Sequence, residues 1–291
     1  YNEAPVLEKL FARLGNLAND NKDYDFEFLF INDGSRDKTL EIIKEYADKD
    51  ARVSYINFSR NFGKEIAMIA GLDHVTGDAT VIIDADLQDP PELIPQMIKF
   101  WEEGYDDVYA KRKSRAGETW LKKKSAHLYY RILQKTSHIP IQEDTGDFRL
   151  LDRRAVEALK QFRESERNTK GMFSWIGFNK KEILYNRNER AAGSSGWSYF
   201  KLINLAVNGI TSFTTAPLRI STVLGFVVSV IAFVYLVFLV IRTIFFGTDL
   251  GGYPSAMAVI LFLGGVQLLS LGIIAEYVGR IFNETKNRPL Y

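Results

Sequence analysis

Two uncharged runs, Ile220 to Ile241 (22 residues) and Leu250 to Ala275 (26 residues), constrain this chain more than any other feature. Each exceeds the roughly 20 residues that an α-helix needs to cross a bilayer, whereas a helix of a soluble domain keeps a polar face. Both are therefore predicted to be transmembrane helices. The remainder of the 291-residue chain has a different character. Charged residues are dense up to Arg219 and then, apart from Arg242 and Asp249, absent until Glu276. Two spans leave the preceding and following segments on the same side. Those flanks carry Lys201, Arg219, Arg280, Lys286 and Arg288, against Arg242 and Asp249 in the connecting loop. The positive-inside rule then assigns the large N-terminal part to the cytoplasmic face of a plasma (inner) membrane.

That N-terminal part alternates two periods. Val6, Leu7, Leu10, Phe11 and Leu14 recur at helical spacing, and Phe26 to Ile31 reads as a strand. Leu40, Ile43, Tyr46 and Ala47 give a second helix, Val53 to Phe58 a second strand, Ile66 to Leu72 a third helix and Thr80 to Ile83 a buried third strand. Strands and helices in alternation predict an α/β domain whose largely parallel sheet is covered by helices. Ligands of such sheets bind outside the carboxyl ends of the strands. Asn32-Asp33-Gly34-Ser35 and Asp84-Ala85-Asp86 both fall there and are expected to share one crevice. Two carboxylates leaving a buried strand together suit a metal-diphosphate, although a polar strand end would look the same. Neither Gly-x-Gly-x-x-Gly nor a Walker motif is present, which argues against a dinucleotide enzyme or a P-loop ATPase.

Other classes are narrowed by composition. Lys and Arg number 37 against 36 Asp and Glu, a formal net charge of +1, so no nucleic acid is expected as a partner. The absence of Cys excludes disulfides, thiolate nucleophiles and Cys-based zinc sites. His74, His127 and His138 have neither metal nor triad spacing, and packing roles are expected for all three. No secretory signal precedes the first domain, and the chain opens at Tyr1, so a short N-terminal piece is expected upstream.

Two segments combine apolar helical spacing with positive charge. Trp120 to Thr136 places Leu121, Leu128, Tyr129, Ile132 and Leu133 beside Lys122, Lys123, Lys124, Arg131 and Lys135. Trp197 to Phe213 repeats the theme with Trp197, Phe200, Leu202 and Ile203. Basic, aromatic-rich amphipathic helices lie in the headgroup layer, and a helix packed on its own domain with a solvated basic face is the alternative.

Five segments in order carry a family likeness: Tyr1-Asn2-Glu3, Asn32-Asp33-Gly34-Ser35, Arg60-Asn61-Phe62-Gly63-Lys64-Glu65, Asp84 to Pro91, and Asp144-Thr145-Gly146-Asp147-Phe148-Arg149. With Glu189 to Gly193 and the tail Glu276 to Arg280, they make the chain resemble the family-two glycosyltransferases of GT-A fold, within them the polyprenyl-phosphate sugar transferases. The likeness spans essentially the whole chain, and the two C-terminal spans favour the bactoprenol glucosyltransferase branch over the dolichyl-phosphate mannose synthases.

The resemblance implies roles at matching positions. Tyr1 and Glu3 match the first nucleotide-binding loop, and Asp33 the residue that reads the nucleobase, with a helix N-cap as its other available role. Asp84 matches the ribose contact, with Ala85 beside it, while Asp86 matches a metal ligand and Gln88 a second. Such hard oxygen donors suit Mg²⁺ or Mn²⁺. Arg190 matches a diphosphate contact, and Ser195 lies in its Gly-Ser loop, where Gly196 stands in place of the Lys of many relatives. Asp147 matches the catalytic base. A lipid monophosphate, with a second pKa of about 6, is mostly dianionic at neutral pH, so Asp147 either takes a last proton or positions substrate, unless it simply partners Arg149. Arg115, Lys123 and Arg131 are expected to meet the acceptor phosphate.

The expected organisation is a cytoplasmic GT-A catalytic domain over residues 1–194, with an interfacial helix at about 118–136. A juxtamembrane amphipathic helix follows at 195–217, then residues 218–291 with spans at about 220–243 and 252–276 and a cytoplasmic tail. The expected reaction is inverting transfer of a hexose, glucose from UDP-glucose, to polyprenyl (undecaprenyl) phosphate. GDP-mannose and UDP-aminoarabinose are the alternative donors, and a non-catalytic membrane scaffold is the alternative of another class. A processive polysaccharide synthase is disfavoured, because Gln-x-x-Arg-Trp is absent and two spans are few for a channel. Gly225, Gly264, Gly265 and Gly272 would allow close helix contacts and hence a homo-oligomer.

Overall fold

The computed structural model describes residues 1–113, 145–165, 167, 169–186, 215–247 and 252–291. By internal contacts the chain divides into one unit of Tyr1–Asn204 with Pro289–Tyr291, and a second of Leu205–Arg288.

In the first unit, helix α1 (Ala4–Asp20) starts with Pro5 in its first turn, where the missing N–H costs nothing. Its buried stripe of Val6, Leu7, Leu10, Phe11, Leu14 and Leu17 follows the period of 3.6. Asn21 ends it by donating its side-chain amide to the Leu17 carbonyl at 2.7 Å. Strand β1 (Phe28–Asn32), α2 (Thr39–Lys49), β2 (Val53–Asn57), α3 (Lys64–His74) and β3 (Ala79–Ile82) follow. β1 and β2 pair in parallel, Phe28 opposite Val53 through Asn32 opposite Asn57. At α3, a Cβ added to Gly71 would come 3.5 Å from the Ile31 side chain, so this helix lies close on β1. His74 stays local, its Nδ1 in hydrogen-bond contact with the Ala70 carbonyl at 2.8 Å.

After a 3₁₀ turn at Pro91–Leu93 come α4 (Ile94–Glu102), β4 (Asp107–Arg112), β5 (Thr145–Asp152), α5 (Arg153–Lys160), α6 (Thr169–Trp175) and β6 (Lys180–Tyr185). The second sheet runs β3-β5-β4-β6. β5 is antiparallel to both β3 and β4, while β4 and β6 are parallel, so the sheet is mixed. Asp152 closes β5 and opens α5, accepting from the Arg154 N–H at 2.9 Å and from the Trp101 indole at 2.9 Å.

Two buried clusters hold these layers together. One joins α1 and α4 to the sheets through Leu7, Phe11, Met97, Val108, Phe148 and Leu150. The other joins α3, α5 and α6 through Ile69, Leu72, Leu151, Val156, Leu159 and Phe173. Each such side chain contributes about 1.5–3 kcal/mol by leaving water. The tail adds Leu290 to the second cluster. Tyr291 stacks on Phe58 at 5.4 Å and donates its hydroxyl to Asp73 at 3.0 Å.

The second unit contains α7 (Ala216–Phe246) and α8 (Tyr253–Thr285), which contact each other. At 31 and 33 residues they extend about 46 and 50 Å, more than the roughly 30 Å of a hydrocarbon core. Both are long and apolar enough to cross a membrane. Phe226, Phe233, Leu261 and Leu268 are each at least 67% exposed, a cost that water would impose and lipid would not. α8 continues beyond its apolar run, where Arg280 pairs with Glu276 at 3.1 Å, one turn away. A Cβ added to Gly225, Gly264, Gly265 or Gly272 would meet nothing within 4 Å among the described residues, so these glycines are not spent on contacts with them.

Candidate active site

The site is built at the carboxyl ends of β1, β2 and β3. Beyond β1, Gly34 turns with φ of +65°, and a Cβ there would stand 2.4 Å from the Arg60 carbonyl carbon and 2.7 Å from the Asn61 nitrogen. Only glycine lets the loops after β1 and β2 approach this closely. Asp33 fastens the contact. Its Oδ1 accepts from the Phe62 N–H at 2.7 Å and its Oδ2 from the Gly63 N–H at 3.0 Å. The buried carboxylate thus clamps the loop that enters α3 from a distance, a different arrangement from the helix N-cap that its sequence position suggests, while each oxygen keeps lone-pair capacity. Asn32 donates to the Asn57 side chain at 2.7 Å and so ties the two strand ends together.

The N-terminal residues are fixed to the same loop. The Asn2 N–H donates to Ser35 Oγ at 2.9 Å, Asn2 Oδ1 accepts from the Arg36 N–H at 2.9 Å, and the Glu3 N–H donates to Thr39 Oγ1 at 2.9 Å. Tyr1 remains half-exposed beside them.

Past β3, Asp84 and Ala85 are partly buried and Asp86 is buried. Asp86 Oδ1 accepts from the Gln88 N–H at 3.1 Å across a turn whose central residue, Leu87, has φ of +61°. A leucine in the left-handed region is strained, and its buried side chain holds it there. Next, Asp89 accepts a hydrogen bond from the Tyr185 hydroxyl of β6. Burial first, and that bond second, push the Tyr185 phenol up to about 12.

Lys64, the first residue of α3, joins these loops to β5. Its Nζ lies 2.7 Å from Asp84 Oδ2 and 2.6 Å from Asp147 Oδ2. Burial alone would lower the ammonium's pKa, but Asp84 and Asp147 outweigh it and raise it above the ordinary lysine value. Glu65 accepts from the Thr169 N–H at 3.0 Å and from its hydroxyl, anchoring α3 to α6. Burial raises the Glu65 pKa against the lowering effect of those bonds.

Behind Asp147, Arg149 is fully buried and pairs with the equally buried Asp107 at 3.0 Å. Its guanidinium lies 3.7 Å from the centre of the Phe173 ring. The direct ion pair of Arg149 is with Asp107, while Asp147 acts on Arg149 through its charge and pairs directly with Lys64.

Of the residues singled out from sequence, Asp84 and Asp147 share one ammonium, and Asp33 orders the two residues that precede it. Asp86 and Gln88 form the adjoining turn. Arg190, Ser195, Arg115, Lys123 and Arg131 lie outside the described residues, as do both basic amphipathic segments, 120–136 and 197–213, in full. Lys64 belongs to the Arg60–Glu65 motif, yet the sequence assigns it no role of its own. A lysine opening a helix opposes the helix dipole, and that local misfit is the signal the sequence carries.

Among the described residues no cluster of three or more His, Asp or Glu side chains is arranged to hold a metal. One buried carboxylate and an adjacent amide are nonetheless a sufficient protein share for Mg²⁺ or Mn²⁺ when the remaining oxygens come from substrate phosphates. The donor set of Asp86 and Gln88 fits that case.

Residues 1–160 match the family model described as glycosyl transferase family 2, and residues 216–281 match that of the GtrB C-terminal hairpin. A bactoprenol glucosyl transferase of Shigella phage SfX is 49% identical over 291 residues, covering 100% of this chain and 95% of its own. A prophage bactoprenol glucosyl transferase homolog of Escherichia coli K12 is 48% identical with the same coverage. An uncharacterized glycosyltransferase of Synechocystis sp. is 48% identical over 100% of this chain and 91% of its own.

Proposed function

The chain belongs to glycosyl transferase family 2, with a GT-A fold and a GtrB-type C-terminal hairpin, and on that premise we propose that it transfers glucose from UDP-glucose to a polyprenyl phosphate. The observation that carries this reading is the 48–49% identity, over the whole chain including both apolar helices, to proteins named bactoprenol glucosyl transferase. The enzyme is a glycosyltransferase; the acceptor, the donor and the face of the membrane are the proposal.

In this reading UDP lies across the carboxyl ends of β1 to β3. Asp33, Tyr1 and Glu3 border the nucleoside and Asp84 the ribose. Asp86 and Gln88 would hold Mg²⁺ or Mn²⁺, which supplies charge neutralisation for the departing diphosphate. Arg190 and Ser195 would add donors to it. An oxygen of the lipid phosphate forms a bond to the anomeric carbon as the bond from that carbon to the UDP oxygen breaks, on the opposite side, giving a β-linked product. A dianionic acceptor has no proton to lose, so Asp147 contributes chiefly by positioning. Arg115, Lys123 and Arg131 would bind the acceptor phosphate. The helices hold this chemistry at the headgroup layer, on the cytoplasmic face given the basic flanks Arg219, Arg280, Lys286 and Arg288. The unspent glycines of α7 and α8 suit contacts between copies.

A donor panel tests the assignment. Purified full-length protein with undecaprenyl phosphate and Mg²⁺ is offered labelled UDP-glucose, GDP-mannose and UDP-aminoarabinose in turn. Lipid product from UDP-glucose is the expected result. Product from another donor alone would reassign the sugar within the same reaction.

A further inference from the structure

We infer that Lys64 is a positioning residue for glycosyl transfer, bridging Asp84 on the donor side to Asp147 on the acceptor side and thereby setting where Asp147 stands. The inference rests on the reaction proposed above and adds a residue to it.

The need for such a bridge follows from the sheet. β3 and β5 pair antiparallel, with Ala79 opposite Asp152 and Ile82 opposite Arg149. Continuing that register two residues past Ile82 brings Asp84 opposite Asp147. Like charges directly opposite on neighbouring strands repel and spread the strand ends apart. Lys64 Nζ lies 2.7 Å from one carboxylate and 2.6 Å from the other, the spacing of two charge-assisted contacts to one cation. A repulsive pair becomes a three-centre cluster whose net charge is −1.

The bridge also has a rigid base. Asp33 holds the backbone of Phe62 and Gly63 immediately before Lys64, and Glu65 immediately after it is fastened to Thr169. Gly63, with φ of +97°, sets the direction in which α3 begins. A lysine at a helix N-terminus forgoes dipole stabilisation. Here the two carboxylates offset that cost, and the residue that docks the nucleotide loop also locates the acceptor-side carboxylate. A side chain half-exposed at its outer face, as Lys64 is, contributes little to the core. Its effect is therefore expected in turnover rather than in folding.

Full-length protein in detergent, with UDP-glucose, Mg²⁺ and undecaprenyl phosphate, provides the test through Lys64→Met, Lys64→Arg, Asp147→Asn and the double variant Lys64→Met/Asp147→Asn. Lys64→Met is expected to lower kcat about 100-fold, the scale of a misplacement of about 1 Å, while donor KM changes less than about threefold. Lys64→Arg is expected to recover about tenfold of that loss. Because both residues act as one unit, the double variant is expected within about twofold of Asp147→Asn alone. The inference is overturned if Lys64→Met keeps kcat within about twofold of wild type, if its loss multiplies with that of Asp147→Asn, or if it fails to fold and arginine does not rescue it. Wild type run in parallel separates this inference from the one beneath it. If wild type turns over only another donor, the donor assignment falls and the same cycle is read on that donor; a wild type inert on every donor overturns both.

Discussion

Asp107→Leu should unfold the catalytic domain far more readily than its single lost ion pair suggests. Leucine reproduces the branched heavy-atom skeleton of aspartate with bulkier methyls, whose overpacking of about 1–3 kcal/mol is smaller than the cost of stranding the buried charge. Arg149 and Asp107 are both 0% exposed, and removing the acid leaves a guanidinium away from water without its ion-pair partner, with only the field of Asp147 to offset its charge. Burial already lowers the Arg149 pKa and raises that of Asp107, each group pushed towards neutrality and held back by the other. Breaking a buried pair from one side costs about 3–5 kcal/mol. The Phe173 ring, 3.7 Å from the guanidinium, remains and favours the lower half of that range. For a domain of about 200 residues each kcal/mol moves the midpoint by about 2–4 °C, so a fall of roughly 6–16 °C is expected. Thermal unfolding of the full chain in detergent, followed by tryptophan fluorescence, measures it. The paired variant Asp107→Leu/Arg149→Met removes both charges and should recover most of the loss. A single variant within about 2 °C of wild type, or a double variant as unstable as the single, would refute the reasoning.

Three further outcomes follow from the site. Gly34→Ala puts a Cβ 2.4 Å from the Arg60 carbonyl carbon at a φ of +65°, so the loops after β1 and β2 must separate; UDP affinity by calorimetry should fall at least about tenfold, with about 1–2 kcal/mol lost from the left-handed conformation alone. Asp33→Ala strands the Phe62 and Gly63 N–H groups, at about 1–3 kcal/mol of stability by denaturant titration, and UDP binding should weaken with it. Tyr185 is neutral when folded up to about pH 12, whereas an unfolded tyrosine ionises near its ordinary value. Its stabilising contribution is therefore complete below about pH 10 and lost as pH rises from there through the folded value, at up to about 1.4 kcal/mol per pH unit. Tyr185→Phe should flatten that alkaline slope in melts between pH 9 and 12, and an unchanged slope would count against the assignment.

The parts legible in the sequence are those with local causes. The helical stripe of Val6 to Leu14 reappears in α1, the first uncharged run lies within α7, and the second lies in α8 from Tyr253 onward. The ends of elements differ because pairing, not hydrophobicity, sets them: the apolar run of β1 begins at Phe26, but its ladder opens where the Phe28 N–H reaches the Arg52 carbonyl at 2.8 Å. The antiparallel insertion of β5 between β3 and β4 depends on which strand docks beside which, and no spacing within β5 encodes that. The same holds at the site. Asp84 and Asp86 can be seen leaving a buried strand, whereas the pairing of Asp84 with Asp147 across 63 positions needs the register of two strands. Arg149 shows the difficulty in reverse. Two residues from Asp147, it looks like its partner, yet the acid in direct contact with it comes from β4 and Asp147 adds only its field.

Transfer of label from UDP-glucose into an organic-extractable product, by full-length protein with Mg²⁺ and undecaprenyl phosphate, tests the central claim most directly when run beside Asp86→Asn. The account predicts lipid-linked, β-configured glucose that requires the metal and is lost in the variant. Product that forms equally well with Asp86→Asn, or no product from wild type with any of the three donors, would contradict it.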